Sequence, residues 1–119
     1  AFLVHVSSHQ QVASSADVEG IRAYQAARAG TEWGLFNFLR NGACAAGPTS
    51  FSPGGTLSAY TVSVGCASGA ATEASTALTM VRITATACNQ PSAGACPNNA
   101  PGPFYVERQL SVVAGNPAP

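Results

Sequence analysis

The sequence predicts an α+β domain in which one long N-terminal helix packs on a small antiparallel β-sheet stapled by two disulfides. Three observations carry this reading. Apolar residues recur three and four apart in the first third of the chain. Three later segments alternate with a period of two. Four cysteines, an even set, stand in a chain rich in Ser, Thr and Gly. At 119 residues the chain makes one compact unit with a modest core. It divides into a helix over residues 1–42 and a disulfide-stapled sheet over 43–119.

The helical pattern runs from about Val12 to Arg40. Val18, Ile21 and Tyr24 recur three apart, and Leu35, Phe38 and Leu39 continue the stripe, so these six form the expected packing and assembly face. Arg28 and Glu32 sit four apart and pair across one turn. Asp17 and Glu19 come early and Arg40 last, the order a helix dipole favours. Gly42 in "NGA" supplies a left-handed stop. At the other end two starts stay open: a cap at "SSAD", near Ser14, or a helix running through from residue 1. Gly20, Gly30 and Gly34, with Ala23, Ala26, Ala27 and Ala29, make one side narrow. A narrow side lets the helix approach its own sheet closely, or a neighbouring subunit.

Residues 45–55, with "GPTS" and "SPGG", read as a loop. In "SAYTVSVGC", Tyr60, Val62, Val64 and Cys66 alternate with small or polar residues. In "TMVRITATAC", Val81, Ile83, Ala85 and Ala87 share a face opposite Arg82, Thr84, Thr86 and Cys88. In "FYVERQLSVV", Phe104, Val106, Leu110 and Val112 line one side, broken by Arg108. Tyr105, Glu107, Gln109 and Ser111 line the other. These are three antiparallel strands with one apolar face for the helix to cover. Residues 67–76 read as a small-residue loop. Residues 89–103 are too rich in Pro, Gly and Asn for regular structure, and a loop of that length is uncommon unless functional or stapled.

Among three possible connectivities, the sequence-local pairs Cys44–Cys66 and Cys88–Cys96 are favoured. The first ties the helix end to the first strand, and the second closes the front half of the long loop. Swapped pairings would hold that short segment open. Disulfides point to an oxidising compartment, the periplasm or cell exterior. None of the cysteines forms a CxxC and His5 and His9 lie far upstream, so no zinc spacing is present.

Charge is sparse: 8% of residues, net zero, with no lysine. That argues against a nucleic-acid binder and a polybasic membrane-surface module. Candidate chemistry is equally thin. A Ser-His-Asp set from His9 and Asp17 is arithmetically available but has no supporting pattern. The carboxylates are unpaired, and no calcium loop or phosphate-cradling glycine loop occurs. "ERQ", Glu107 to Gln109, reads as a satisfied polar cluster at the sheet. No catalytic residue, cofactor, metal or small-molecule substrate is expected. The chain reads as a structural or binding protein.

A helix followed by a disulfide-stapled antiparallel sheet is the build of a type IV pilin head. "AYQAARAGTEWG" (Ala23–Gly34), "ACNQPSAGACP" (Ala87–Pro97) and "YVERQL" (Tyr105–Leu110) together resemble the MshP family. These are minor pilins of the mannose-sensitive haemagglutinin (MSHA) type IV pilus system. The likeness runs from about residue 10 to 113. The resemblance implies a structural subunit in a priming or tip complex with other minor pilins and the major pilin. It implies an inner-membrane anchor with a periplasmic head before assembly, and a place in the extracellular pilus after it. The pilin leader, processing site and glutamate-bearing apolar helix are not in this sequence. Residues 1 to about 40 then stand for the lower half of a stem, with "AFLVHV" as its junction with a missing membrane-embedded half. A type II secretion pseudopilin shares the same architecture. A secreted adhesin or carbohydrate-binding module is a third reading. The free sheet edge and the Cys88–Cys96 loop are expected to make subunit contacts.

Overall fold

The computed structural model describes residues 3–9, 17–44 and 47–117. In chain order the elements are β1 (Leu3–His9), α1 (Asp17–Asn41), β2 (Thr49–Phe51), a 3₁₀ turn (Gly55–Leu57), β3 (Thr61–Glu73), β4 (Thr76–Cys88) and β5 (Glu107–Pro117). The strands form one antiparallel sheet in the order β1-β5-β4-β3-β2, and α1 packs across one face on β3, β4 and β5. The α+β class, the helix on an antiparallel sheet and both disulfides are as the sequence predicts.

The helix stops where its chemistry requires. Gly42 adopts φ +72°, and its N–H donates to the Phe38 carbonyl at 2.7 Å. A single left-handed residue satisfies one of the orphan carbonyls of the last turn, and glycine takes that conformation without a Cβ clash. Arg40 lies in that last turn. On the surface Arg28 and Glu32 stand 3.5 Å apart, both largely exposed, a pair that contributes only a few tenths of a kcal/mol.

The face that α1 turns to the sheet is its narrow one. Ala23, Ala26 and Ala27 are fully buried and Phe38 nearly so, packed with Val62, Val64, Val81, Ile83, Ala85, Ala87 and Leu110. Space at the glycines is already full. A Cβ at Gly30 would lie 2.5 Å from Val62 Cγ1 and 2.9 Å from Ala85 Cβ, and one at Gly34 2.6 Å from Ile83 Cγ2. The helix backbone rests directly on the β-branched side chains of the sheet. The six-residue stripe expected to form the packing face divides accordingly. Phe38 enters the core and Leu35 packs at its margin, whereas Val18, Ile21, Tyr24 and Leu39 are exposed. Periodicity points the residues of greatest bulk at the sheet, but volume decides otherwise: close approach of a flat sheet selects Gly and Ala.

Three further expectations are corrected. Leu3–His9 is not the start of a stem helix over residues 1–42 but an edge strand, registered from Leu3↔Gly115 to His9↔Gln109. Val4 and Val6, β-branched and two apart, suit a pleated strand better than a helix. The alternative start near Ser14 lies outside the described residues, whereas His9 and Asp17 of the candidate Ser-His-Asp set end β1 and open α1. Residues 67–76 are not a loop. The β3–β4 ladder continues unbroken from Thr61↔Cys88 to Glu73↔Thr76, closed by Ala74 and Ser75 at φ +47° and +69°. Positive φ at both positions is the two-residue hairpin geometry whose twist matches the strands. The loop expected over 45–55 includes the short strand β2 and the start of the 3₁₀ turn. β2 pairs with β3 from Thr49↔Val64 to Phe51↔Val62, and Phe51 meets the Trp33 ring at 5.7 Å.

Candidate functional site

Three features stand out once the core is accounted for. The first is the outer face of α1. Val18 (60% exposed), Ile21 and Tyr24 form an apolar patch at its N-terminal end, and Phe36 with Leu39 (55%) forms another at its C-terminal end. Between them lie the exposed Gln25 and the Arg28–Glu32 pair. The Arg40 guanidinium sits 5.9 Å from the centre of the Phe36 ring. Soluble monomers leave single apolar side chains exposed without consequence, but clusters of large ones mark interaction surfaces. Of the residues expected to form this face, the structure brings Val18, Ile21 and Tyr24 together at one end and places Leu39 at the other. Phe36 belongs to the face and escaped the three-and-four pattern. Its signal was its place three residues before Leu39, one turn away on the same side of the helix.

The second feature is a polar clamp between the start of α1 and the sheet. The Tyr60 hydroxyl donates to the Glu19 carboxylate at 2.6 Å and lies 3.1 Å from the Glu19 carbonyl. Arg22 is 3.6 Å from the same carboxylate. A Cβ at Gly20 would meet the Arg108 guanidinium, so Arg108, the break in the apolar face of β5, reaches the helix backbone. Burial raises the pKa of Tyr60 strongly, and the neighbouring Glu19 carboxylate raises it further. Tyr60→Phe should lower stability by about 1 kcal/mol, since Glu19 keeps Arg22 and access to water, and urea unfolding would measure it.

The third feature is the loop from Asn89 to Val106. Cys88–Cys96 is buried beneath it, with a Cα–Cα separation of 5.9 Å. Three of its amide side chains, Asn89, Gln90 and Asn98, bond its own backbone. Asn89 Nδ2 donates to the Phe104 carbonyl at 2.9 Å while Asn89 Oδ1 accepts from the Val106 N–H at 2.9 Å. Gln90 Nε2 donates to the Pro103 carbonyl at 2.7 Å, and Gln90 Oε1 accepts from the Gly102 N–H at 2.8 Å. Asn98 Nδ2 donates to the Gln90 carbonyl, and the Tyr105 hydroxyl accepts from the Asn98 N–H and donates to Glu107 at 2.7 Å. The long segment therefore has a defined shape without helix or sheet ladder, apart from the Ser92–Ala95 bridge. At its end Phe104, expected on the apolar face of the third predicted strand, precedes β5 instead. It adopts φ +65° and is 83% exposed. A left-handed non-glycine residue costs on the order of 1 kcal/mol, supplied by the surrounding bonds.

Tyr105 is buried, which with the Glu107 carboxylate pushes its pKa up to about 12. A folded-state pKa above the unfolded value of about 10 means that the stabilisation is complete below pH 10. It is lost as pH rises through the window from 10 to about 12. Chemical denaturation at stepped alkaline pH should show this decline, with a slope of up to about 1.4 kcal/mol per pH unit from this one group. In Tyr105→Phe the decline should be shallower by that amount.

The polar cluster expected at Glu107–Gln109 is satisfied: Glu107 by Tyr105, and Gln109 by a 3.0 Å donation to Thr86 Oγ1. Both expected disulfides are formed, with Cα–Cα distances of 5.5 Å for Cys44–Cys66 and 5.9 Å for Cys88–Cys96. Among the described residues no three of His, Cys, Asp and Glu cluster in a way that could hold a metal ion. No described helix is long and apolar enough to cross a membrane. No family model matches the chain, and no characterised protein or solved structure matches it significantly.

Proposed function

We propose that the chain is a structural, non-catalytic subunit of a surface fibre, a minor pilin of the MSHA-type type IV pilus. In this reading it acts with other minor pilins and the major pilin in a priming or tip complex. Its head resides in the periplasm beside the inner membrane before assembly and in the extracellular pilus after it. The observation that carries the reading is the division of labour on α1. Its narrow side is used up on its own sheet, while Val18, Ile21, Tyr24, Phe36 and Leu39 stay exposed on the other side. A helix that is apolar on both sides is one that has a second surface to meet. The disulfides fit an oxidising compartment. The blocks at Ala23–Gly34, Ala87–Pro97 and Tyr105–Leu110 supply the family likeness. On the described helix, Asp17–Asn41, the proposed assembly face spans Val18 to Leu39.

The paired substitution Ile21→Asp and Leu39→Asp tests this. Both side chains are exposed, so stability should change by no more than about 0.5 kcal/mol each. Incorporation into fibres sheared from cells, followed by immunoblotting, should be lost. Normal incorporation of a folded double variant would overturn the reading.

A further inference from the structure

We propose that Phe104 is an assembly anchor that docks on the Phe36–Leu39 patch of α1 in a second copy of this chain, head to tail. The proposal rests on the preceding reading only in taking the outer face of α1 as an interface; the anchor and its occupant are new.

The anchor is presented rather than merely left outside. Phe104 is 83% exposed in a left-handed conformation that a phenylalanine does not choose by itself. Asn89 grips its carbonyl, Gln90 grips Pro103 before it, and Asn89 binds Val106 after it. The buried Cys88–Cys96 bridge fixes the base of the same loop. Strain held by so many bonds, with a large aromatic at its apex, marks a site where a rigid contact is needed. A ring fixed before binding loses little freedom on docking.

The chemistry of the loop selects the partner. No charged residue occurs from Asn89 to Val106. Both polar atoms of the Asn89, Gln90 and Asn98 amides are occupied within the loop. A sugar needs several free donors and acceptors around a stacking ring, and those three amides are already turned to the loop's own backbone. What remains is an apolar knob, which suits an apolar protein surface. The chain carries such a surface in Phe36 and Leu39. Charge is complementary as well. Arg40 adjoins Leu39 and among the described residues meets the Phe36 ring rather than a carboxylate, while half-exposed Glu107 lies three residues from Phe104.

Within one chain the two cannot meet. Phe104 lies beside the start of β5, level with Cys88 and Thr61, where Tyr60 holds Glu19 at the start of α1. Phe36 and Leu39 lie in the closing turns of α1, near the Cys44–Cys66 bridge. Knob and patch therefore occupy opposite ends of the helix in a molecule 51 Å long. An interface between two different patches repeats without closing on itself and builds a row rather than a symmetric pair.

Sedimentation equilibrium of the disulfide-intact chain over a concentration series tests this. The expected result is self-association that Phe104→Gly weakens by about 30-fold in Kd or more. Glycine relieves the left-handed strain, so the variant keeps its melting temperature. Phe36→Ser with Leu39→Ser should weaken association equally. Mixing the two variants should restore one-to-one pairs that grow no further, because each supplies the half that the other lacks. A monomer at every concentration up to millimolar, unchanged association in Phe104→Gly, or failure of the mixture to pair would each overturn the anchor. Association lost in the α1 variant but kept in Phe104→Gly would leave the assembly face standing and remove only Phe104. Fibre incorporation that survives Ile21→Asp with Leu39→Asp is the separate result that removes the face itself.

Discussion

Gly30→Ala is expected to destabilise the protein by about 2 kcal/mol, although alanine favours a helix interior by about 1 kcal/mol over glycine. The added methyl would lie 2.5 Å from Val62 Cγ1, 2.9 Å from Ala85 Cβ and 3.1 Å from Val64 Cγ2. None of these can step aside. Ala85 has no torsion to turn, and valine is stiff at χ1. The helix must lift, and Ala23, Ala26 and Ala27, fully buried along the same line, would lose contact with the sheet. For a domain of this size the melting temperature should fall by about 8 °C. A rise would mean that α1 rides higher over β3 and β4 than described.

The second large effect is the Cys44–Cys66 bridge, which joins the end of α1 to β3 across 22 positions of sequence. On the chain-entropy account a ring of that size contributes about 3.4 kcal/mol by restricting the unfolded chain. Cys44→Ser with Cys66→Ser should lower the melting temperature by about 10 °C or more under oxidising conditions. Under reducing conditions the wild type should fall to meet the variant, apart from the separate loss of Cys88–Cys96. That smaller ring contributes about 2.6 kcal/mol. An unchanged melt in the double variant would show that α1 is held by packing alone.

The parts of this fold that the sequence made legible are those with a strong local period or a local covalent logic. Val62 and Val64, Val81 and Ile83, and Leu110 and Val112 alternate with polar or small residues, and they mark the central strands and their buried face. Gly42 marks the helix end, and cysteines eight and 22 apart pair locally. What stayed hidden had no period. Residues 67–75 are Ala, Ser, Gly, Thr and Glu, and their strand exists because β4 offers a partner across the hairpin. β1 is placed by pairing with β5, from Leu3↔Gly115 to His9↔Gln109, at the far end of the sequence.

The candidate site shows the sharper lesson. A stripe of Val, Ile, Tyr, Leu and Phe suggests the inward face of a helix by amount of apolar surface alone. The inward face was written mainly in the small residues, Ala23, Ala26, Ala27, Gly30 and Gly34, with Phe38 beside them, whereas Val18, Ile21, Tyr24, Phe36 and Leu39 face out. Alternation with Val106 and Leu110 places Phe104 in a strand. Its actual conformation depends on Asn89 and Gln90, fifteen and thirteen residues from their partners Phe104 and Pro103. No window of local pattern contains that information.

On the proposed reading the outer face of α1, open in the free subunit, is covered in the assembled one. All four native cysteines are in disulfides, so a cysteine introduced at Ile21 or Leu39 gives a unique thiol for maleimide labelling. The expected result is rapid labelling of the isolated protein at both positions and protection of both in the sheared fibre fraction. A control thiol at exposed Ala100 should label in the isolated protein. Equal labelling at positions 21 and 39 in free and assembled protein would remove the outer face of α1 as an assembly surface.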